Sequence, residues 1–414
     1  MSAQHRVVVV GASLAGLRTA EQLRRVGHRG PITVLGAEPH LPYNRPPLSK
    51  EVLADPEQAE PEVLAERLAF RRRSSTANVE FRLGDAVTAA DLTAGTLTTA
   101  GGRQHTFDGL VAATGLRPRR LGVPGPTRGR HVLRTVEDCH GLRTEVSRGP
   151  RSVVVVGAGF VGCEVAATLV KAGHTVTVIE PAGAPMARVL GSVLADAVQR
   201  HHEAAGIRFR IGLGVAAYAG TGSVSSVLLT SGEEILADIV VEAVGSVCNV
   251  EWLAGNGLDL SDGVLVDNHL QVVSNGPGTP TVPIVAVGDI ARFPNPRFDH
   301  VPRRVEHWSI PTDTAKRAAV SLVVAFAGDT ADAADFAPVP SFWSDQLDLR
   351  FQSFGSTALA EDIRVEEGDV GRLSDGLLAS YHRDGRHIGT LAINLSPARQ
   401  RDLRAAFAPL VPTP

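Results

Sequence analysis

An α/β fold with two nucleotide-binding units is predicted by three observations. One pattern occurs twice, in "RVVVVGASLAGLRTAEQLRRVGHRGPITVLGAE" (6–38) and in "SVVVVGAGFVGCEVAATLVKAGHTVTVIE" (152–180): a β-branched run, a Gly-rich turn, an amphipathic helix, then a second β-branched run and a glutamate. That is the signature of a βαβ unit whose two strands are parallel and buried. A further buried strand, "TVPIVAVGDIARF" (281–293), follows the second unit, and the chain from about 330 onward has short strands but no Gly-rich turn. The predicted architecture is therefore two Rossmann-like nucleotide-binding domains followed by a C-terminal α+β domain.

The elements follow in order. In "GASLAG", Gly11 and Gly16 hold the outer positions of G-x-G-x-x-G, and Ser13 stands at the middle glycine. Its hydroxyl is able to donate to a phosphate. Glu38, after the second strand, is placed to bind a ribose. "LPYNRPPLSKEVL" (41–53) is a stiff Pro-rich turn ending on Lys50, one of three lysines in a chain with 41 Lys+Arg. "FDGLVAATGLRPR" (107–119) reads as a buried strand closed by a Gly turn.

In "GAGFVG", Gly157, Gly159 and Gly162 fill all three glycine positions. The first allows the tight turn, the second the approach of a pyrophosphate, and the third close packing of helix on strand. Glu180 ends the second strand of that unit, and no arginine follows until Arg188. A carboxylate there accepts from a ribose 2′-hydroxyl and repels a 2′-phosphate, which favours NADH over NADPH. In "VAVGD", Asp289 suits either a cofactor's ribityl chain or a helix N-cap. The C-terminal region offers strands at 348–355, 377–383 and 387–394 and a helix at "SPARQRDLRAAF". The expected domains are a discontinuous first one (1–118 and 250–328), a second inserted into it (119–249), and the C-terminal one (329–414).

Composition narrows the function. Apolar residues make up 43% and charged residues 21%, with a formal net charge of −3. There is no global basic field for nucleic acid and no polybasic tail for a membrane. No apolar stretch approaches a membrane span, and the start, "MSAQHRVVVVGAS", lacks the regions of a secretory signal. A cytoplasmic protein is expected. The three cysteines, Cys139, Cys163 and Cys248, form no CxxC, and residues 39–55 contain none. Their odd number argues against a disulfide framework, and without zinc-type spacing no protein-bound metal is expected.

The ordered set "VVVVGASLAG", "PYNRPPLSK", "AATGLRPR", "LRTVEDC", "VVVVGAGFVGCEVA", "PIVAVGDIARF", "RVEHW" and "FWSDQ" resembles the FAD-dependent NADH:ferredoxin reductases. These are putidaredoxin-reductase-like proteins of bacterial cytochrome P450 and ring-hydroxylating dioxygenase systems, within the glutathione-reductase-like superfamily. The resemblance runs over nearly the whole chain. It implies that the first domain binds FAD through Gly11, Ser13, Ala15, Gly16 and Glu38, with Arg45, Lys50, Val87, Arg134, Asp289 and Trp308 at further FAD-contact positions. It implies NADH binding at Gly157, Gly159, Gly162 and Glu180, with Glu164 beside nicotinamide and flavin. Lys50 and Glu164 become the catalytic candidates, a compact ammonium directed at the flavin N5 edge and a carboxylate able to pair with it.

The implied partner is an iron–sulfur ferredoxin of the [2Fe-2S] type, serving indirectly a P450 or dioxygenase. A rubredoxin reductase, or a redox-sensing flavoprotein like apoptosis-inducing factor, are the alternatives. Two departures from the family stand out: Ser13, and "SIPTDTA" after "EHW", where Pro311 suits a first helical turn. Arg71–Arg73, Arg303–Arg304 and the aromatic Trp343 are candidates for ferredoxin docking, with a solvated or packed surface as the plainer reading of each.

Overall fold

The computed structural model describes residues 5–57, 59–274, 280–329 and 334–406. The chain forms two compact units, one of 1–44, 65–117 and 248–340, the other of 45–64, 118–247 and 341–414.

The first unit is built on a parallel sheet in the order Val79–Arg82, Ile32–Leu35, Val7–Val10, Gly109–Ala112 and Ile284–Ala286. All four residues of the central strand are buried, as a strand covered on both faces requires. The helix Leu14–Arg25 carries the chain from the central strand to its neighbour and packs against the helix Ile310–Ala327. It stops where Gly27 takes φ +97° and the His28 amide donates to Leu23 O at 2.9 Å, a glycine-dependent cap. Pro311 lies in the first turn of Ile310–Ala327, so that helix forms despite the departure from the family pattern.

The strand expected over 281–293 is divided. Ile284–Ala286 completes the parallel sheet, Gly288–Ile290 makes one 3₁₀ turn, and Ala291–Asn295 joins a different sheet. Gly288, at φ +70°, breaks the run. A continuous apolar stretch does not reveal such a break, because periodicity is silent inside a fully buried segment.

The second unit repeats the plan with Arg208–Ile211, Thr175–Glu180, Ser152–Val156, Ile239–Glu242 and Arg130–His131. Its helix Phe160–Lys171 ends as the first one does, with Gly173 at φ +87° and the His174 amide donating to Leu169 O at 3.1 Å. The same unit contains a five-stranded antiparallel sheet, in the order Ser341–Gln346, Leu349–Gly355, Arg386–Ile393, Leu377–Arg383 and Asp362–Gly368. The edge strand Asp362–Gly368 is exposed throughout and rich in charge, a composition that protects an edge. Among the described residues no helix is long and apolar enough to cross a membrane.

Candidate functional site

In the first unit the site residues gather where the strand order reverses, at the carboxyl end of the central strand. Gly11 has φ +121°, and a Cβ built on it would lie 2.1 Å from Ala113 O. A Cβ on Gly16 would lie 1.9 Å from Gly11 O. Both positions exclude any side chain. Ser13 differs: it precedes the helix with φ −116° and ψ −160° and its side chain makes no capping bond. The equivalent residue of the second loop, Gly159, is likewise extended, at φ −75° and ψ −177°. A Cβ built there meets nothing within 4 Å. Serine is thus accommodated without backbone strain, and the open space at this position is where a phosphate approaches such a turn. Both loops fit a dinucleotide.

Ala15 is buried, and a Cβ built on Gly288 would come within 2.9 Å of its methyl. That contact brings the turn carrying Asp289 onto the start of the helix. The Gly288 amide donates to Thr314 Oγ1 at 3.0 Å. Asp289 lies inside the 3₁₀ turn, whose N-cap is Val287, so the capping alternative does not hold. Glu38 lies past the strand end and accepts from the Tyr43 hydroxyl at 2.6 Å. Val87 opens the strand Val87–Asp91 and is half-buried. Trp308 is 43% exposed. Burial pushes the His307 imidazole down to about 4, so it is neutral at physiological pH.

Arg45, Lys50 and Arg134 belong to the second unit, with Gly157, Gly159, Gly162, Glu164 and Glu180. Gly157, at φ +103°, would place a Cβ 2.3 Å from Ala243 O, and a Cβ on Gly162 would lie 2.0 Å from Gly157 O. Glu180 accepts from the Ala158 amide at 2.8 Å and from the Ala182 amide at 2.9 Å. Its carboxylate is therefore fixed at the glycine turn. Arg45 donates to Arg134 O at 2.8 Å, and the Arg134 amide donates to Asp138 Oδ2 at 2.9 Å, beside the Thr135–Asp138 capping box.

The Pro-rich turn folds as a 3₁₀ helix, Pro46–Ser49. It is tied down by Thr168, whose hydroxyl donates to Ser49 O at 2.8 Å, and by the Cys139 thiol, which donates to Leu48 O at 3.3 Å. Lys50 Nζ then stands 2.7 Å from Glu164 Oε2 and donates to Pro46 O at 3.1 Å. Three residues not singled out in the sequence complete this cluster. Ser49 donates to Glu164 Oε2 at 2.5 Å, Ser344 to Oε1 at 2.6 Å, and Gln346 Nε2 to Ser344 Oγ at 3.0 Å. A signal for two of them existed: in "SFWSDQ" strand alternation puts Ser344 and Gln346 on the buried face with Phe342, and polar residues on a core face need partners.

The docking candidates fare differently. Arg303 pairs with Asp299, and Arg304 with Asp262 at 2.6 Å and Glu306 at 2.8 Å. The Arg304 side chain is largely buried. Arg303–Arg304 is thus an internally neutralised pair, not a free basic face. In the 71–73 cluster, Arg73 reaches Glu21 at 3.5 Å and Arg72 covers the Phe81 ring. Trp343 is half-buried on the strand Ser341–Gln346.

All three cysteines are free and buried. Burial pushes the Cys139 thiol up to about 12 and raises those of Cys163 and Cys248. None is a thiolate at neutral pH, and thiolate is the form that attacks a disulfide.

Two parallel sheets that share the order of four strands and differ in the fifth, each with a glycine turn at its switch point, define an oxidoreductase of the two-dinucleotide class, here without reactive thiols. The chain belongs to the pyridine nucleotide-disulphide oxidoreductase family, whose model matches residues 5–314. It is similar to the probable ferredoxin reductase CtmF of Castellaniella defragrans, 35% identical over 93% of this chain and 90% of that one. It is similar also to rhodocoxin reductase of Rhodococcus erythropolis, 36% identical over 88% and 81%. Among solved structures, the ferredoxin reductase for the CYP199A2 system of Rhodopseudomonas palustris aligns with a TM-score of 0.83 at 33% identity, covering 94% of this chain and 91% of that one.

Proposed function

We propose that this protein is an NADH-dependent ferredoxin reductase that carries FAD and reduces an iron–sulfur ferredoxin of a cytochrome P450 or dioxygenase system. The observation that carries the reading is the combination of two dinucleotide cradles with thiols that are all buried and protonated. Electrons arriving from NADH have no protein disulfide to enter, so they leave for an external carrier. FAD, when bound, supplies the conversion of a two-electron hydride into the single electrons that an iron–sulfur cluster accepts.

The chain's own residues have distinct parts. Gly11, Ser13, Gly16 and Glu38 hold the adenine half of FAD, within the domain 1–118 and 250–328. Asp289 is assigned to the ribityl chain and Ala15, Val87 and Trp308 to further FAD contacts of this unit; Arg45 and Arg134, in the second unit, stay FAD-contact positions by resemblance to the family. Gly157, Gly159, Gly162 and Glu180 hold NADH within 119–249, and 329–414 forms the C-terminal domain. Lys50 sets a positive charge against the flavin edge, while Glu164 orients that ammonium and lines the nicotinamide pocket. A cytoplasmic location belongs to the same proposal.

The test is direct. The purified protein is expected to be yellow, with about one FAD per chain, and to reduce a [2Fe-2S] ferredoxin at the expense of NADH. A colourless protein that refuses FAD on reconstitution would end this reading. Rubredoxin reduction in preference to every ferredoxin tried would move the assignment to the other carrier.

Coenzyme choice is tested separately. Glu180→Ala is expected to narrow the preference for NADH over NADPH by roughly ten-fold or more, the worth of one charge-assisted hydrogen bond of about 1.5–3 kcal/mol. The measurement is the ratio of kcat/KM for the two coenzymes. An unchanged ratio would place the ribose elsewhere.

A further inference from the structure

Glu164 sits two residues beyond Gly162, in the first turns of the helix Phe160–Lys171, and is 6% exposed. Its two oxygens are approached from two other stretches of the second unit. Ser49 and Lys50 both reach Oε2, at 2.5 and 2.7 Å. Both of these contacts lie on one oxygen and leave Oε1 without a donor from this stretch. Ser344 supplies the constraint on the other oxygen, donating to Oε1 at 2.6 Å from the strand Ser341–Gln346.

The proton on Ser344 is directed. An ionised carboxylate only accepts, and Ser344 Oγ receives a bond from Gln346 Nε2 at 3.0 Å. The chain therefore runs one way, from Gln346 through Ser344 to Glu164. Ser344 and Gln346 are both 0% exposed, so water does not compete. Gln346 also donates to Met186 Sδ at 3.3 Å, which fixes its amide. The strand pairs along its whole length with Leu349–Gly355, making it a rigid support.

We infer that Ser344, backed by Gln346, is a positioning residue that sets the plane of the Glu164 carboxylate and, through it, the place of the Lys50 ammonium during hydride transfer from NADH. The inference rests on the reading of Lys50 and Glu164 given above. It adds that a strand of the C-terminal sheet, 180 residues away in sequence, orients this pair.

The test uses the flavin-loaded protein and the variants Ser344→Ala, Ser344→Thr, Glu164→Gln and the double variant Ser344→Ala/Glu164→Gln. In stopped-flow reduction by NADH, Ser344→Ala is expected to lower the limiting rate on the order of ten-fold, as misplacement of a reacting geometry does. The NADH concentration for half-maximal rate should stay within about two-fold, since no coenzyme contact is removed. Ser344→Thr, which keeps the hydroxyl, should recover most of the rate. In the Glu164→Gln background, Ser344→Ala should have no further effect.

A second readout is independent of turnover. The melting-temperature losses of Ser344→Ala and Glu164→Gln should fail to add in the double variant, as expected for residues in direct contact. A wild-type protein reduced by NADH, with Ser344→Ala reduced equally fast, would overturn this inference alone. Additive melting losses would do the same. A wild-type protein that NADH does not reduce would overturn the functional reading, and this inference with it.

Discussion

Replacing Lys50 with alanine is expected to slow NADH-driven reduction of the bound flavin by about 10²–10³-fold, the range seen when one preorganised donor to developing charge is lost. FAD should stay bound, because the dinucleotide cradle at Gly11 and Gly16 is untouched. The Lys50 side chain is 14% exposed and its ammonium is held between Glu164 and Pro46 O, so its position is set before coenzyme arrives. Removing it also takes the cation from a buried carboxylate. Loss of one partner of a buried pair costs about 3–5 kcal/mol, and the low end applies here because Ser49 and Ser344 still donate to Glu164. Lys50→Arg should not restore the rate, since a planar guanidinium aims its donors differently from an ammonium. Stopped-flow absorbance at saturating NADH reads the rate, and urea unfolding reads the stability. A variant that is destabilised but reduced at the wild-type rate would make Lys50 a structural residue.

Gly11→Ala is the second large effect. A methyl at that position would overlap Ala113 O at 2.1 Å while the backbone holds φ +121°. The backbone conformation alone costs a non-glycine residue about 1–3 kcal/mol, and the overlap forces the turn apart. The expected product is a protein that fails to retain FAD, with a lowered melting temperature. Ser13→Gly, two residues on, is the control. Ser13 has φ −116°, which any residue adopts, so restoring the usual glycine should leave FAD content and melting temperature almost unchanged. Absorbance of the purified variants near the flavin bands, normalised to protein, distinguishes the two.

Much of the fold was legible because it is local. The βαβ units declare themselves within about thirty residues, through runs such as "VVVV" whose use is burial and through Gly11, Gly16, Gly157 and Gly162, whose places no side chain fits. Glu180 was legible for the same reason, standing at the end of the strand Thr175–Glu180. What was not legible depends on distance along the chain. Ser49 and Ser344 meet Glu164 across 115 and 180 residues, and no periodicity reports such a meeting. Arg303 and Arg304 appeared as a basic patch because nearness in sequence does not say which acids they meet: Asp299 and Glu306 are close by, and Asp262 is 42 residues away. The break at Gly288 was hidden inside an apolar run, where both a strand and a turn satisfy burial.

The state of the sulfur atoms has a consequence for how this protein ages in use. Reduced flavins react with dioxygen and release hydrogen peroxide, so an electron-transfer protein of this class works beside an oxidant of its own making. Sulfur oxidation follows thiolate character and exposure. The chain has 3 Cys and 2 Met, the thiols are buried and protonated, and Met186 is enclosed with its sulfur accepting from Gln346. Peroxide arriving from solvent finds none of these four atoms at the surface. An enzyme that routes electrons through a dithiol is silenced when that dithiol is overoxidised; this chain keeps no such fuse in its circuit.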